Sequence, residues 1–506
     1  MAVFCNNTSQ VATNDGKIWL GGIMFFSEHF HLPFNQWELD FVDIPLGEAD
    51  VPLFIDPFAI SRRNDVFSVV CHNRIVEFFQ QVLDLITAEV VDGRGAINML
   101  SGLREPNQTR FGLSTGEDPR GRGIGGGQAE DLYRALVDSN AARTGFITDL
   151  EDCELLIPNI SRDKISDITT NIIRRDLITY TQDQCRSLGI PLIEIDPGFI
   201  WDSETGFWLS EYHMLPVYED LGILLAPKAF ARKSLEFSAG EYYSKYVVPY
   251  LQMEYFEAGS SLVRTLKDGT KKLPYKKDIK DENPMSKQFL YEFSRENPDV
   301  LNDYREDKAQ GVAETSNETV VEATGHTQLY DFEASVRRLA GIQTGRDDAS
   351  AYHDHIFGIL EAVFYPHFIY PVKEERINNN RKRIDITFVN AAKDGFFYSL
   401  TTTKRIHAPY VLIECKNLSR DLGNPELDQL IGRASPFRGS FGIMICRSVD
   451  NMVLLQARCH DALTNHNFAI LVLDDSDIEL LLRSKNNGDE EAINRLLEEK
   501  YRQLVM

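Results

Sequence analysis

Glu414 and Lys416 stand two residues apart at the end of the run Tyr410-Val411-Leu412-Ile413-Glu414-Cys415-Lys416-Asn417. Three consecutive apolar residues predict a strand buried on both faces. The two-residue spacing sends the Glu414 and Lys416 side chains out of the same face, while Cys415 points the other way as a small core residue. Charges at the end of a buried strand are costly unless they are paired or bind a metal. Upstream, Arg383-Ile384-Asp385-Ile386-Thr387-Phe388 sets one acid among apolar neighbours on a second predicted strand. If the two strands are adjacent, Asp385 and Glu414 converge on one hard divalent cation with Lys416 beside it. Mg²⁺ suits such a pair, because it takes one or two carboxylates and fills its shell with water and phosphate oxygens.

Asp385 followed by Glu414-Cys415-Lys416 resembles the D…(D/E)-x-K signature of the PD-(D/E)XK, or restriction-endonuclease-like, nucleases. Ile384 stands where the nominal motif has its proline. Two further positions fit the resemblance. Glu361 lies on the predicted helix before the first strand, with Phe357, Leu360 and Phe364 on its side; Gln429 lies on the helix after the Glu414 strand. The string Asn424-Pro425-Glu426-Leu427-Asp428-Gln429-Leu430-Ile431-Gly432-Arg433 is also similar to a group of uncharacterised bacterial nuclease-like proteins. The resemblance spans about 130 residues of the C-terminal third. It implies Mg²⁺-dependent hydrolysis of phosphodiester bonds, with Mn²⁺ as a substitute. Asp385, Glu414 and the backbone carbonyl of Cys415 would hold the metal, and Glu361 would support it or a second ion. Lys416 would position water or stabilise developing charge, and Gln429 would orient water or a phosphate. Arg381, Lys382, Arg383, Arg433 and Arg438 are the candidates for backbone contacts, which fix register without reading sequence. Duplex DNA is the expected substrate and defence against foreign DNA the expected setting. A nuclease for RNA or branched DNA, and a non-catalytic nucleic-acid-binding or assembly protein of the same fold, are the alternatives. Cutting both strands implies a dimer or higher homo-oligomer.

These residues need a frame. From Ala351 the pattern reads helix (His353 to Tyr365), strands at Phe368 to Glu375 and Arg383 to Val389, and a further meander strand at Phe396 to Thr402. Then come the strand Pro409 to Lys416, a helix Asn424 to Arg433, strands Phe441 to Cys446 and Phe468 to Leu473 around a helix, and a tail helix from Ile478 to Leu504. A meander followed by βαβ units predicts a mixed sheet with helices on both faces, an α/β fold. The chain of 506 residues is long for one core and divides on pattern into four parts. A mixed α/β region, 1–235, would sense, regulate or oligomerise, with a regulatory ligand or protein as its partner. A helical and hairpin segment follows at 236–302, a polar linker at 303–330, and the nuclease-like domain at 331–506.

Other features carry less. The glycine run at 121–127 lacks the Lys-Ser/Thr of a phosphate-binding loop and reads as a loop. His353-Asp354-His355 has a spacing that splays its imidazoles, so a capped helix start is the expectation. Seven cysteines without a C-x-x-C pair argue against a disulfide framework or zinc site. With no secretory pattern at the start and no long apolar run, a cytoplasmic protein is expected. The net charge of −23 opposes nucleic-acid binding, yet Phe368 to Arg438 holds 12 Lys and Arg against 8 Asp and Glu. A basic groove on an acidic body is therefore the expected distribution.

Overall fold

A computed structural model describes residues 24–506, save 48–49, 89–92, 113–125, 139–154, 156–160, 236, 312–313, 328 and 378–381. In the N-terminal region a long helix, α1 (Val66–Ala88), packs with α2 (Arg162–Ile172) and α3 (Arg174–Leu188). Short antiparallel pairs such as Phe199–Asp202 with Phe207–Ser210 cover their flank. Most of the glycine run, 121–125, lies outside the described residues; Gly126 already begins a helix. Ser161 and Gly189 bound α2 and α3, the first by a side-chain cap and the second in the left-handed conformation that glycine adopts without strain.

The expected linker at 303–330 is instead largely helical. It contains most of α4 (Pro298–Gly311) and all of α5 (Asn317–Thr324), in which Tyr304 and Val320 are fully buried. Its polar composition reflects short helices that each bury only a narrow stripe. One buried core runs from Phe26 to Leu504 and crosses residues 235, 302 and 330 without interruption.

After α6 (Phe332–Gly341), the C-terminal third is the α/β layer predicted from its pattern. Helix α7 (Ala349–Phe364) leads into β1 (Phe368–Ile377) and β2 (Lys382–Asn390). Next come α8 (Gly395–Thr402), β3 (Tyr410–Lys416), α9 (Asn424–Ile431) and β4 (Phe441–Cys446). The chain ends in α10 (Met452–His466), β5 (Ala469–Asp474), α11 (Asp475–Asn486) and α12 (Glu490–Val505). The five strands form one sheet in the order β1-β2-β3-β4-β5. The first three are antiparallel and the last three parallel. The apolar run 411–413 is buried as its composition required.

Two predicted elements change. The strand expected at Phe396 to Thr402 is helix α8, because Phe396, Phe397 and Leu400 bury one helical face and β2 pairs directly with β3. The single tail helix is two, broken at Gly488, where φ is +68°.

The N-terminal region seats on the edge strand β1 through a bulge between Ile369 and Val372. Tyr370 has φ +50° there, and its N–H donates to Asp40 Oδ1 at 3.0 Å. Tyr180 of α3 donates to Asp40 Oδ2 at 2.6 Å, and Gln184 donates to the Pro371 carbonyl at 3.2 Å. An otherwise open sheet edge is thereby covered.

Elsewhere in this region Asp167 on α2 lies among Asp163, Glu105 and Asp50. Burial, and then those like charges, push its carboxyl up to about 8. The unfolded chain releases this proton near the ordinary value of 3.8, whereas the folded chain keeps it to about pH 8. Stability is therefore lost as pH rises through that window. Asp167→Asn removes the penalty: thermal melts should coincide with the parent near pH 4 and lie a few degrees higher near pH 9. Parallel melting curves at both pH values would contradict this account.

Candidate metal and phosphodiester site

Strand register creates the site. Ile386 pairs with Ile413 and Thr387 with Leu412, so one step further Asp385 lies opposite Glu414 on a shared face. Cys415 N–H donates to Asp385 Oδ2 at 3.2 Å, which fixes that carboxylate across the strand gap. Lys416 Nζ lies 3.0 Å from Glu414 Oε2 and 3.6 Å from Asp385 Oδ2. Gln429, on α9, donates from Nε2 to the same Glu414 oxygen at 2.9 Å. Arg433, just past α9, places Nε 3.6 Å from Glu414 Oε1. The expected Asp385, Glu414, Lys416 and Gln429 are thus brought together, with Arg433 as part of the constellation.

Electrostatics follow from that packing. Glu414 is fully buried and Asp385 is 8% exposed. Burial first, and the adjacent Asp385 second, push the Glu414 carboxyl up to about 7, while Lys416 pulls it down. The same two carboxylates outweigh burial at Lys416 and hold its ammonium above the ordinary lysine range. Glu414 Oε2 accepts two hydrogen bonds, but Oε1 is buried without one.

The donor set fits a hard divalent cation. Asp385, Glu414 and the Cys415 carbonyl offer oxygen only, and an unsatisfied buried carboxylate oxygen is among them. No group of three or more His, Cys, Asp or Glu side chains is arranged around a metal among the described residues. An ion here would complete its shell with water and phosphate oxygens, as Mg²⁺ does.

Glu361 does not join them. It is fully buried, Lys228 Nζ is 3.9 Å from its Oε2, and neither of its oxygens accepts a hydrogen bond. Burial, then Asp40, raise its carboxyl well above the usual range, with Lys228 opposing. Lys228 itself donates to Asn317 at 2.9 Å and lies 4.1 Å over the Tyr365 ring. The helix explains the miss: at 100° per residue, Glu361 lies about 80° around α7 from His353 eight positions earlier.

His353 takes the place at the site instead. Its Nε2 lies 2.9 Å from the Cys415 carbonyl, which can only accept, so that nitrogen carries the proton. Burial lowers the pKa of this imidazole against the pull of Asp385, favouring the neutral form. Its neighbour Asp354 pairs with Lys373 of β1. The i, i+2 spacing did splay the two imidazoles: His355 turns to the Ser335 carbonyl at 2.8 Å. The signal for His353 is its place on the helix preceding the first strand, where the resemblance implies an acid.

The expected phosphate contacts divide. Arg381 lies outside the described residues, and Lys382 is described only as part of β2. Arg383 pairs with Glu374 at 3.3 Å on the surface. Arg438 is half-buried and donates to the Arg433 carbonyl at 2.8 Å.

Glu361→Gln should leave divalent-cation binding unchanged in calorimetric titration, while Glu414→Gln should weaken it by about tenfold or more. Equal loss in both variants would return Glu361 to the metal. Residues 31–238 match the model of a family described only as a domain of unknown function (DUF8370). No curated protein and no solved structure matches the chain.

Proposed function

We propose that the C-terminal sheet carries a metal-dependent nuclease of the PD-(D/E)XK type that hydrolyses phosphodiester bonds, with duplex DNA as the favoured substrate. The observation that carries the reading is the meeting of Asp385, Glu414 and Lys416 across the β2–β3 pair, at 3.0 and 3.6 Å. A mixed five-stranded sheet flanked by helices is the frame that signature requires.

Asp385, Glu414 and the Cys415 carbonyl would hold Mg²⁺ or Mn²⁺, which supplies neutralisation of phosphate charge and a lowered pKa for bound water. The protein's own groups prepare the rest. Gln429 and Lys416 fix Glu414 Oε2, and His353 fixes the carbonyl of Cys415 by donating to it. Lys416 brings a persistent ammonium to the carboxylate pair, where it can stabilise charge developing on a phosphate oxygen. Arg433 offsets the buried charge of Glu414 from the opposite oxygen. Cutting both strands of a duplex would call on two copies of the chain, and the N-terminal region would regulate or present them. Defence against foreign DNA is the setting we favour.

A second reading has its own support: a non-catalytic nucleic-acid-binding protein on this fold. It draws on the absence of a third acidic ligand among the described residues.

Linear, supercoiled and single-stranded DNA, with RNA in parallel, incubated with Mg²⁺ or with EDTA, decide between them. Metal-dependent cleavage should fall on the order of 100-fold or more in Asp385→Ala and in Lys416→Ala. RNA cleavage alone would change the substrate class. Nucleic-acid binding without cleavage in Mg²⁺ or Mn²⁺, unaltered in both variants, would favour the second reading.

A further inference from the structure

A cavity of about 530 Å³ opens where the N-terminal region meets the far ends of β2 and β3. Its walls come from the residues before α1, the end of α4, the turn after β2, helix α8 and the start of β3. The volume lies within the range of roughly 300–1,000 Å³ typical of small-molecule sites. It is distinct from the carboxylate site. Val389 and Tyr410 pair at this end of the strands, about four residues and roughly 13 Å from Asp385 and Glu414.

Its charge runs against that of the chain. Arg62, Arg63 and Lys393 line it with Asp65 as the one acid. Behind the wall, Glu314 accepts Arg63 at 2.9 Å, Lys393 at 2.8 Å and Arg232 at 3.3 Å. Arg63 is also paired with Asp65 at 3.1 Å. Three cations therefore share two carboxylates, with Arg62 in addition, in a protein whose net charge is −23. Lys393 is half exposed and holds only a share of Glu314. Arg62 is exposed and makes no ion pair among the described residues. Such an excess of positive charge beside a concave wall favours an anion.

The remaining lining is planar or amide. Tyr398 lines it with an aromatic ring and is 45% exposed; Asn64 and Gln310 are exposed amides that can donate and accept. Cations for a phosphate, a ring for stacking and amides for a heterocycle edge are the three chemistries of a nucleotide.

We propose that this cavity binds a small nucleoside phosphate. The inference does not rest on the nuclease reading, since none of its residues belongs to the carboxylate site. An occupant would touch the strands that carry Asp385 and Glu414.

Calorimetric titration of the full chain with AMP, GMP, adenosine and inorganic phosphate tests it. A nucleotide should bind, with adenosine and phosphate each weaker by about tenfold or more. Arg62→Ala with Lys393→Ala should weaken it by about tenfold, and Tyr398→Ala by a smaller factor, with melting temperatures kept as the check on folding. No binding of either nucleotide at about 1 mM would overturn the proposal. So would phosphate binding as well as the nucleotides do, or nucleotide binding unchanged in all the variants.

Discussion

Two carboxylates facing each other across a strand pair set the terms for the C-terminal half. The β2–β3 register puts Asp385 opposite Glu414, and a slip of one residue would send one of them to the other face of the sheet. Direct cross-strand neighbours stand with Cβ atoms about 4.5–5.5 Å apart, where like charges repel. Burial of Glu414 makes the repulsion expensive, and the neighbours answer it. Lys416 touches both acids, Gln429 takes one oxygen of Glu414, Arg433 approaches the other, and the Cys415 amide holds Asp385. These partners come from β3, α9 and the loop after it. The helix following the strand is therefore as much a part of the site as the strand is.

The N-terminal region contributes through a second buried polar centre. Asp40 receives Tyr180 and the Tyr370 amide, while Lys228, Asn317 and Glu361 meet beneath them. Lys228 and Glu361 are both fully buried. Removing Lys228 would leave Glu361 and Asp40 buried near each other without the cation that opposes their repulsion. Since Glu361 stands on α7, this centre fixes the rotation of the helix that delivers His353 to the Cys415 carbonyl. The first half of the chain thus positions the candidate site, and among the described residues it supplies no side chain to it.

The mixed sheet with its helices, the burial of 411–413 and the types of residue at Asp385, Glu414, Lys416 and Gln429 were legible because each depends on local pattern. Apolar runs, a two-residue spacing and an interposed acid survive in one dimension. Glu361 was misplaced because an apolar helix buried on all sides gives no sign of which neighbour each face meets. The N-terminal half supplied the answer through Lys228, 133 positions away along the chain. The same limit hid helix α8, whose phenylalanines read equally well as a strand until Asn494 of the last helix is seen to accept the Phe396 amide at 2.8 Å. It also hid the burial of Tyr304 and Val320, which share polar helices with the buried Val300, Leu301 and Val321. No pattern in the sequence marks the cavity around Arg62 and Lys393, since its walls come from five separate segments.

Local neutralisation bears on how this protein could hold a polyanion. Phosphate affinity rests on cations free to displace counterions. Here Arg433 answers Glu414, Arg383 answers Glu374 and Lys373 answers Asp354. Among the described residues, most of the basic side chains counted along this stretch are paired within the fold. On the nuclease reading, attraction to the scissile phosphate would fall chiefly to the metal and to Lys416, and binding would depend steeply on the divalent ion. On the binding-protein reading, the paired cations leave little to grip a backbone. The charge pairing thus weighs more heavily against a passive nucleic-acid binder than against a metal-dependent enzyme.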